Sequence, residues 1–252
     1  LPGRVSALVT AEVRPKVDGI IIERLFEEGA DIKKGQVLYR IDPAIYQAAH
    51  ATARASLAEA KAAVTAIALL EKRQRTLIKQ YAVSQQELDN SISQHGQARA
   101  RVARAEAELE TAAINLAYTE IKAPVSGRIG ASAVTVGALV TAMQSSPLAV
   151  IQQIDRVYID ITQSSAEAIR LRRALAQGRI SANGNTAKIR LTLEDGSPYT
   201  PVATAAHAGE SAWIQGDLLF SEISVAQSTG SIRLRAVVDN PDGLLLPGMY
   251  VK

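Results

Sequence analysis

The amino-acid sequence predicts an elongated α+β protein of several domains. A small β-sandwich is split by an inserted antiparallel α-helical coiled-coil hairpin and is followed by a small β-barrel that carries one short helix. Three observations predict this fold class. Proline is absent between Pro43 and Pro124, that central segment has heptad periodicity, and a short glycine-containing phrase flanks it on both sides. The C-terminal part has the short alternating runs of β-strands.

The helical hairpin is predicted over residues 44–118. Of the 16 glycines only Gly96 lies in this segment, and both Pro and Gly destabilise helix interiors. Two seams of residues spaced mainly three and four apart indicate two helices that pack on each other. The first seam is Ala53, Leu57, Ala60, Val64, Ile67, Leu70, Leu77 and Ile78, and the second is Leu88, Ser91, His95, Ala98, Val102, Ala105, Leu109, Ala112 and Leu116.

The hairpin tip is predicted at about residues 79–86. Ser84 is followed three residues later by Glu87, which is a capping box that starts the second helix. At about 1.5 Å per residue, a helix of about 35 residues is roughly 50 Å long. The hairpin therefore gives the protein a long arm.

The glycine-containing phrase occurs twice. Gly19 and Gly29 are ten residues apart in the first copy, as are Gly127 and Gly137 in the second. Glycine at such turns permits positive φ or a close backbone approach. The matched spacing favours two pseudo-symmetric halves of one sandwich over a chance similarity of two short β segments. The predicted halves are residues 14–43 and 119–155.

The last part of the chain, residues 156–252, is predicted to be the β-barrel. A short helix is expected after Ser164 or Ser165, ending at Gly178. Asp195 and Gly196 indicate a tight turn between strands.

Composition argues against catalysis and cofactors. There is no cysteine, and the three histidines, His50, His95 and His207, lack metal-ligand spacing. The net charge of +3 creates no strong field for nucleic acid or anionic lipid. No apolar run reaches the ~18 residues of a membrane-spanning helix. We therefore expect a protein that is not an enzyme, holds no metal or cofactor and binds no nucleic acid.

Nine sequence blocks along the chain carry a family resemblance. They are LPGR (1–4), AEVRPKVDGII (11–21), LYRIDPAIYQA (38–48), INLAYTEIKAPVSGRIG (114–130), GALV (137–140), IQQID (151–155), TQSS (162–165), TGSIRLRA (229–236) and LLPGM (245–249). By the order and spacing of these blocks, the chain resembles the periplasmic adaptor, or membrane fusion, proteins of tripartite resistance-nodulation-division (RND) multidrug efflux pumps, of the AcrA/MexA type. It differs from them at Val136 and Arg156, and in a longer loop at 200–216 whose role the sequence leaves open.

The resemblance implies a function and a setting. The split sandwich would be a lipoyl-like domain, with residues 1–13 joining the barrel. The protein would link an inner-membrane RND drug/proton antiporter to an outer-membrane channel in the periplasm of a Gram-negative bacterium. It would self-associate as a hexamer, a trimer of dimers. A membrane-proximal domain and an N-terminal lipid or helix anchor, which makes the membrane contact, would lie outside this chain.

The resemblance also implies a docking site. Arg73, Leu77 and Ser84 match the Arg-x3-Leu-x6-Ser pattern with which these adaptors meet the outer-membrane channel. From the residues alone, Ser84 is equally a helix cap, Leu77 part of the core of the tip, and Arg73 a solvated charge. Hinges between helix and sheet are expected near Pro43 and Pro124.

Two alternative functions remain at this stage. One is an adaptor for an ABC or major-facilitator exporter. The other is a lipoyl or biotinyl carrier domain of an enzyme complex, for which Lys33 or Lys34 would hold the group. These lysines lie in a turn inside the first half of the sandwich, whereas the carrier lysine belongs in the turn that the hairpin replaces.

Overall fold

A computed structural model describes residues 1–176, 182–183, 186–187, 191–199, 217–219 and 230–252. The first half of the chain contains β1 (Gly3–Val13), β2 (Gly19–Arg24), β3 (Asp31–Ile32), β4 (Val37–Ile41), α1 (Ala44–Leu77), a 3-10 turn (Ile78–Gln80) and α2 (Gln85–Ala117). It continues with β5 (Glu120–Lys122), β6 (Gly127–Ile129), β7 (Leu139–Val140), β8 (Ala149–Ser164), α3 (Ser165–Ala176), β9 (Ala182–Asn183), β10 (Thr186–Ala187), β11 (Asp217–Leu219), β12 (Ser231–Asp239) and β13 (Tyr250–Val251).

The two sequence copies form equivalent halves that pair with each other. Gly19 of β2 lies opposite Val140 of β7, and Gly127 of β6 lies opposite Ile32 of β3, which is the same pairing with the halves exchanged. The loop contacts repeat this symmetry. The Gly29 amide donates to the Ile129 carbonyl at 3.0 Å, and the Gly137 amide donates to the Ile21 carbonyl at 2.8 Å. The sandwich is therefore built from both halves.

The hairpin stands in place of a β-turn. Strands β4 and β5 are antiparallel neighbours, with Tyr39 opposite Ile121, although α1 and α2 separate them in sequence. Tyr39 is fully buried in the sandwich core, where its ring meets Phe26 edge-on at 5.2 Å. The arm is thus anchored at both ends in strands that contribute to the buried core of the sandwich.

The hairpin seam follows the predicted periodicity with one shift. All nine predicted seam positions of α2 are buried or half-buried. In α1 the agreement holds as far as Ile67, but the prediction is wrong for Leu70, which is 36% exposed; Glu71 occupies the seam instead and is 6% exposed. The heptad spacing continues through Glu71 and Gln74. The sequence did not predict these two seam positions because both residues are polar. A solvent-exposed ion pair of 3.1 Å between Lys61 and Glu106 links the two antiparallel helices.

One continuous ribbon joins the sandwich to the barrel. Strand β1 pairs with β8 along its whole length, and the only shift in register lies between Ala7 and Val9, where β8 has two extra residues. The upper part of the ribbon, around Val13 and Ile151, belongs to the sandwich core. The lower part, around Val5 and Ile159, belongs to the barrel core. The barrel that the sequence predicts from residue 156 therefore begins inside a strand, β8, that it shares with the sandwich.

The barrel helix and turn follow the predicted pattern where the structure describes them. Ser164 accepts a hydrogen bond from the Glu167 amide at 3.3 Å and so caps α3. Gly196 has φ of +84° and lies in a turn within residues 191–199. The predicted helix end at Gly178, the histidine at 207 and the 200–216 loop lie outside the described residues.

A half-buried carboxylate connects three strands of the barrel. Asp160 on β8 accepts hydrogen bonds of 2.7 Å from Arg235 on β12 and from Ser6 on β1. Burial favours the neutral acid, but the hydrogen bonds from Arg235 and Ser6 outweigh it and lower the pKa of Asp160. Its charged form therefore stabilises the barrel.

This lowered pKa predicts an acid-dependent loss of stability. The stabilisation is complete above the ordinary carboxyl pKa of about 3.9 and is lost as the pH falls through the lower folded-state value. We expect Asp160→Asn to reduce the free energy of unfolding by about 1–2 kcal/mol at pH 7. In urea unfolding at pH 7 and pH 3, the difference between wild type and variant should shrink at pH 3. A difference that is equal at both pH values would contradict the assignment.

Candidate functional site

The hairpin tip is a tight, hydrogen-bonded turn. After α1 the chain makes the 3-10 turn Ile78–Gln80 and then bends at Tyr81, which adopts a left-handed conformation with φ of +56° and ψ of +22°. The Tyr81 amide donates to the Ile78 carbonyl and the Ala82 amide to the Leu77 carbonyl, both at 3.1 Å. These bonds satisfy carbonyl groups that the end of a helix leaves free.

Ser84 begins the second helix through the predicted capping box, which the structure confirms. Its hydroxyl accepts from the Glu87 amide at 3.2 Å, and the Glu87 carboxylate accepts from the Ser84 amide at 2.8 Å. The hydrogen bonds from the Ser84 amide and hydroxyl lower the pKa of Glu87. Part of Ser84's role is therefore structural, and a cap of this kind contributes about 1 kcal/mol.

Arg73 and Leu77 lie one helical turn apart near the end of α1. Arg73 is exposed and forms no hydrogen bond or ion pair with any residue that the structure describes, whereas Leu77 is half-buried. Lys72, Arg75 and Lys79 make this end of α1 strongly basic. Ser84 lies across the turn, at the start of α2. The tip thus combines an unpaired guanidinium, a partly exposed apolar side chain and a capped helix start.

The sequence analysis missed a polar layer that is buried between the helices below the tip. Glu71 hydrogen-bonds with His95 Nδ1 across the seam and forms an ion pair of 2.5 Å with Arg75 on its own helix. Burial opposes ionisation of Glu71, but the hydrogen bond from His95 and the charge of Arg75 outweigh it and lower the pKa of Glu71. The only available signal was that position 71 continues the heptad spacing.

Gln74, one turn further along α1, carries a polar atom that this layer does not satisfy. Its Oε1 is buried and has no hydrogen-bond partner among the described residues. We expect Gln74→Leu to raise the stability of the hairpin by about 1 kcal/mol, because it removes an unsatisfied acceptor and adds apolar contact. Gln94→Leu is the matched control, since Gln94 is exposed on α2. Thermal unfolding and hydrogen exchange of the helices measure the effect, and equal stability of the two variants would contradict it.

The predicted turn and hinge residues occupy different kinds of position. Gly19 and Gly127 have φ of +152° and +154°, and Gly29 and Gly137 have φ of +79° and +89°. Pro43 is the N-cap residue of α1. Pro124, by contrast, follows β5 and is not at the helix end, where the chain passes directly from Tyr118 and Thr119 into the strand. Pro124 therefore does not lie at the junction between helix and sheet, and the hinge near it stays a prediction.

The turn containing Lys33 and Lys34 is held against the second half of the sandwich. The Lys34 amide donates to the Ser126 hydroxyl at 2.9 Å, and the Lys33 amide to the Gln36 side chain at 3.2 Å. Within the described ranges, no group of three or more acidic or histidine side chains is arranged to hold a metal ion. A search of the described helices also finds none that is long and apolar enough to cross a bilayer.

Comparison with known proteins identifies this arrangement of sandwich and hairpin. Residues 9–152 match the family model for the barrel-sandwich hybrid domain of RND membrane fusion proteins. The chain belongs to the RND membrane fusion protein family. Residues 156–252 match the β-barrel domain of the same family, so the two matches cover almost the whole chain.

Curated members of the family are similar over the full length of the chain. Multidrug export protein AcrE of Escherichia coli K12 is 46% identical over 252 residues, which are 100% of this chain and 62% of AcrE. Multidrug resistance protein MexA of Pseudomonas aeruginosa is 46% identical over 252 residues, again 100% of this chain and 59% of MexA. The chain therefore spans about three fifths of the length of these relatives.

Two solved structures share the fold. A MacA–MexA chimera that contains the α-hairpin domain of Pseudomonas aeruginosa MexA superposes with a TM-score of 0.67 at 22% identity, covering 99% of this chain and 78% of the chimera. MacA from Actinobacillus actinomycetemcomitans gives the same TM-score at 20% identity, covering 100% of this chain and 75% of MacA. At these identities the likeness concerns the fold alone.

Proposed function

We propose that the protein is the periplasmic adaptor of a tripartite multidrug efflux pump. It would link an inner-membrane RND drug/proton antiporter to an outer-membrane channel for export of drugs and other toxic compounds. The observation that carries this proposal is the helical hairpin inserted into a sandwich of the RND membrane fusion protein family. Relatives with 46% identity are named as multidrug efflux or export proteins. The proposed role is mechanical and requires no catalytic group or cofactor.

The architecture suggests how the work is divided among the parts. We assign residues 14–43 and 119–155 to a lipoyl-like sandwich, residues 44–118 to the arm, and residues 156–252 together with 1–13 to the barrel. The arm provides reach of roughly 50 Å. The sandwich provides a rigid mount, since both ends of the hairpin enter directly from paired strands. The barrel would be the part nearer to the transporter.

The tip of the arm is the proposed contact with the channel. Leu77 would supply an apolar anchor, and Arg73 a forked donor for carbonyl oxygens at helix ends of the partner. Ser84 would contribute its exposed surface while it caps α2. The exposed, unpaired guanidinium of Arg73 supports this assignment, because no contact with a described residue accounts for it.

The outer surface of the hairpin supports self-association. Each helix has a second stripe about 200° around its axis from the seam, and this stripe is exposed and composed mostly of small residues. Small residues let neighbouring helices approach closely. The stripe of α1 is Ala51, Ala55, Ala58, Ala62, Thr65 and Leu69, and that of α2 is Ser93, Gly96, Ala100, Ala103, Ala107, Thr111 and Ile114.

Because the two stripes lie on opposite sides of the hairpin, side-by-side packing would place α1 of one copy against α2 of the next. Their charges suit this arrangement: the exposed charged residues of α1 are mostly basic and those of α2 mostly acidic. Such a contact is head-to-tail and closes into a ring when the rotation between copies permits it. Six copies, arranged as a trimer of dimers, would then form a tube whose wall is the hairpins.

Purification of the protein at its full natural length from bacterial membranes tests the proposed function. We expect an RND transporter and an outer-membrane channel to copurify after mild cross-linking, and both to be identified by mass spectrometry. Recovery of an ABC or major-facilitator transporter instead would favour the other adaptor class. An intact mass that includes a lipoyl or biotinyl group on Lys33 or Lys34 would favour the carrier function.

A further inference from the structure

We propose that Tyr81 is the outermost contact of the hairpin with its protein partner and a main source of the affinity of that contact. The inference rests on the proposed function, in which the tip docks on the outer-membrane channel. Tyr81 lies outside the Arg-x3-Leu-x6-Ser pattern and was not singled out from the sequence. Two independent features of its position point to this role.

The first feature is exposure. The Tyr81 residue is 97% exposed, more than any other large apolar or aromatic residue that the structure describes. Its hydroxyl makes no hydrogen bond, and its ring no aromatic or cation–π contact, with any described residue. The side chain therefore contributes nothing visible to the folding of the hairpin. An aromatic ring held in water is the kind of group that gains most when a partner covers it.

The second feature is the backbone. Tyr81 has φ of +56°, a left-handed conformation that Gly or Asn adopts far more readily at the end of a helix. A tyrosine at this position is unfavourable in two ways. Its side chain disfavours the left-handed backbone conformation, and its aromatic ring is exposed to water. Residues in such conformations are concentrated at functional sites.

The surroundings indicate what the partner surface must offer. The hydrogen bonds from the Tyr81 and Ala82 amides to the Ile78 and Leu77 carbonyls hold the backbone of the turn, so the backbone that carries the ring loses little freedom on binding. Lys72, Arg73 and Lys79 surround the end of α1 with positive charge. The fitting partner surface is a shallow apolar cleft bordered by carboxylates and by carbonyl oxygens at helix ends. The periplasmic end of the channel is the surface that the arm would meet.

The backbone conformation makes a decisive substitution possible. Tyr81→Gly removes the ring and relieves the left-handed position, so the hairpin should unfold at the same or a higher temperature. We expect the same variant, made in the full-length protein, to bind the detergent-purified channel at least about tenfold more weakly. Tyr81→Phe should stay within about threefold of wild type, because the ring supplies most of the contact.

Met143 provides a matched control. It is also a non-glycine residue with positive φ, +58°, and is 81% exposed, but it lies in a loop of the sandwich. Met143→Gly should leave binding of the channel unchanged. Binding of Tyr81→Gly as tight as wild type, together with weak binding of Leu77→Asp, would overturn the role of Tyr81 and leave tip docking intact. Normal binding by both variants would instead refute tip docking. A hairpin destabilised by Tyr81→Gly would show that the tyrosine is structural.

Discussion

Leu77→Asp is expected to abolish the drug resistance that the full-length protein restores to a strain lacking its adaptor. Leu77 is half-buried at the end of α1 and is partly available to a partner. A carboxylate in its place would become a buried charge on docking, opposite a surface that the basic end of α1 suggests is itself acidic. An unpaired buried charge costs about 3 kcal/mol or more, which is roughly a hundredfold loss of affinity.

Two controls separate docking from folding. Leu77→Met keeps the apolar volume and should retain resistance. Ile45→Asp places the same charge on an exposed residue at the other end of α1 and should also retain it. Cellular abundance and helix content should match wild type in all three variants. If Leu77→Asp complements as well as wild type, the tip is not the docking site.

Ser84 is a less decisive site for this experiment. Its hydroxyl and amide form both bonds of the capping box, so Ser84→Lys would lose the cap as well as any contact with the partner. Ser84→Asp is the better choice, because aspartate is an equally good N-cap while it changes the charge of the tip. Loss of resistance with intact α2 would then report on docking.

Gly127→Ala is expected to cause the largest loss of stability in the sandwich, about 3 kcal/mol or more. A Cβ atom at this position would lie 2.5 Å from the Gln152 carbonyl oxygen and 2.8 Å from its carbon. These are backbone atoms of β8, the ribbon strand, which cannot move without breaking its pairing with the neighbouring strands. The φ of +154° adds strain for any side chain.

The pseudo-symmetric mate and a loop glycine provide graded controls. At Gly19 the added Cβ would lie 2.5 Å from Ile41 Cγ2, a side-chain atom that can shift, so Gly19→Ala should cost less. Gly137 has no atom within 4 Å of an added Cβ, so Gly137→Ala should cost only about 1–2 kcal/mol of backbone strain. Hydrogen exchange of the β2, β6 and β8 amides measures the relative loss of stability in the three variants. Equal effects at Gly127 and Gly137 would contradict the packing argument.

The sequence predicted features that local chemistry determines. The spacing of Gly19 and Gly127 follows from turns that the two halves need equally, and Ser84 and Glu87 cap a helix whatever surrounds it. Glu71 could not be found in this way, because its place in the seam depends on His95, 24 residues away on the other helix. Tyr81 was missed for a related reason, because neither its exposure nor its left-handed backbone conformation can be predicted from the residue type.

The ends of the strands were harder to predict for a different reason. Asp155 and Arg156 interrupt the apolar alternation of β8 and suggest a boundary there. In the structure they lie where β8 gains two residues relative to β1. The strand bends at this point and continues, because both of its ends have a partner in β1. Pairing over the full length of a second strand overrides a local break in the pattern.

The ribbon of β1 and β8 turns the molecule into a lever. In the part of the chain that the structure describes, both crossings between sandwich and barrel are strands of this ribbon, and these residues include no slack connection on which the barrel could swivel independently. Tilting must be absorbed at the bulge opposite Ala7 to Val9. The sandwich carries the arm rigidly, so a rotation of roughly 5° at the bulge displaces a tip roughly 50 Å away by roughly 4 Å. Under the proposed function, a small movement of the barrel would thus produce a larger displacement at the tip of the hairpin.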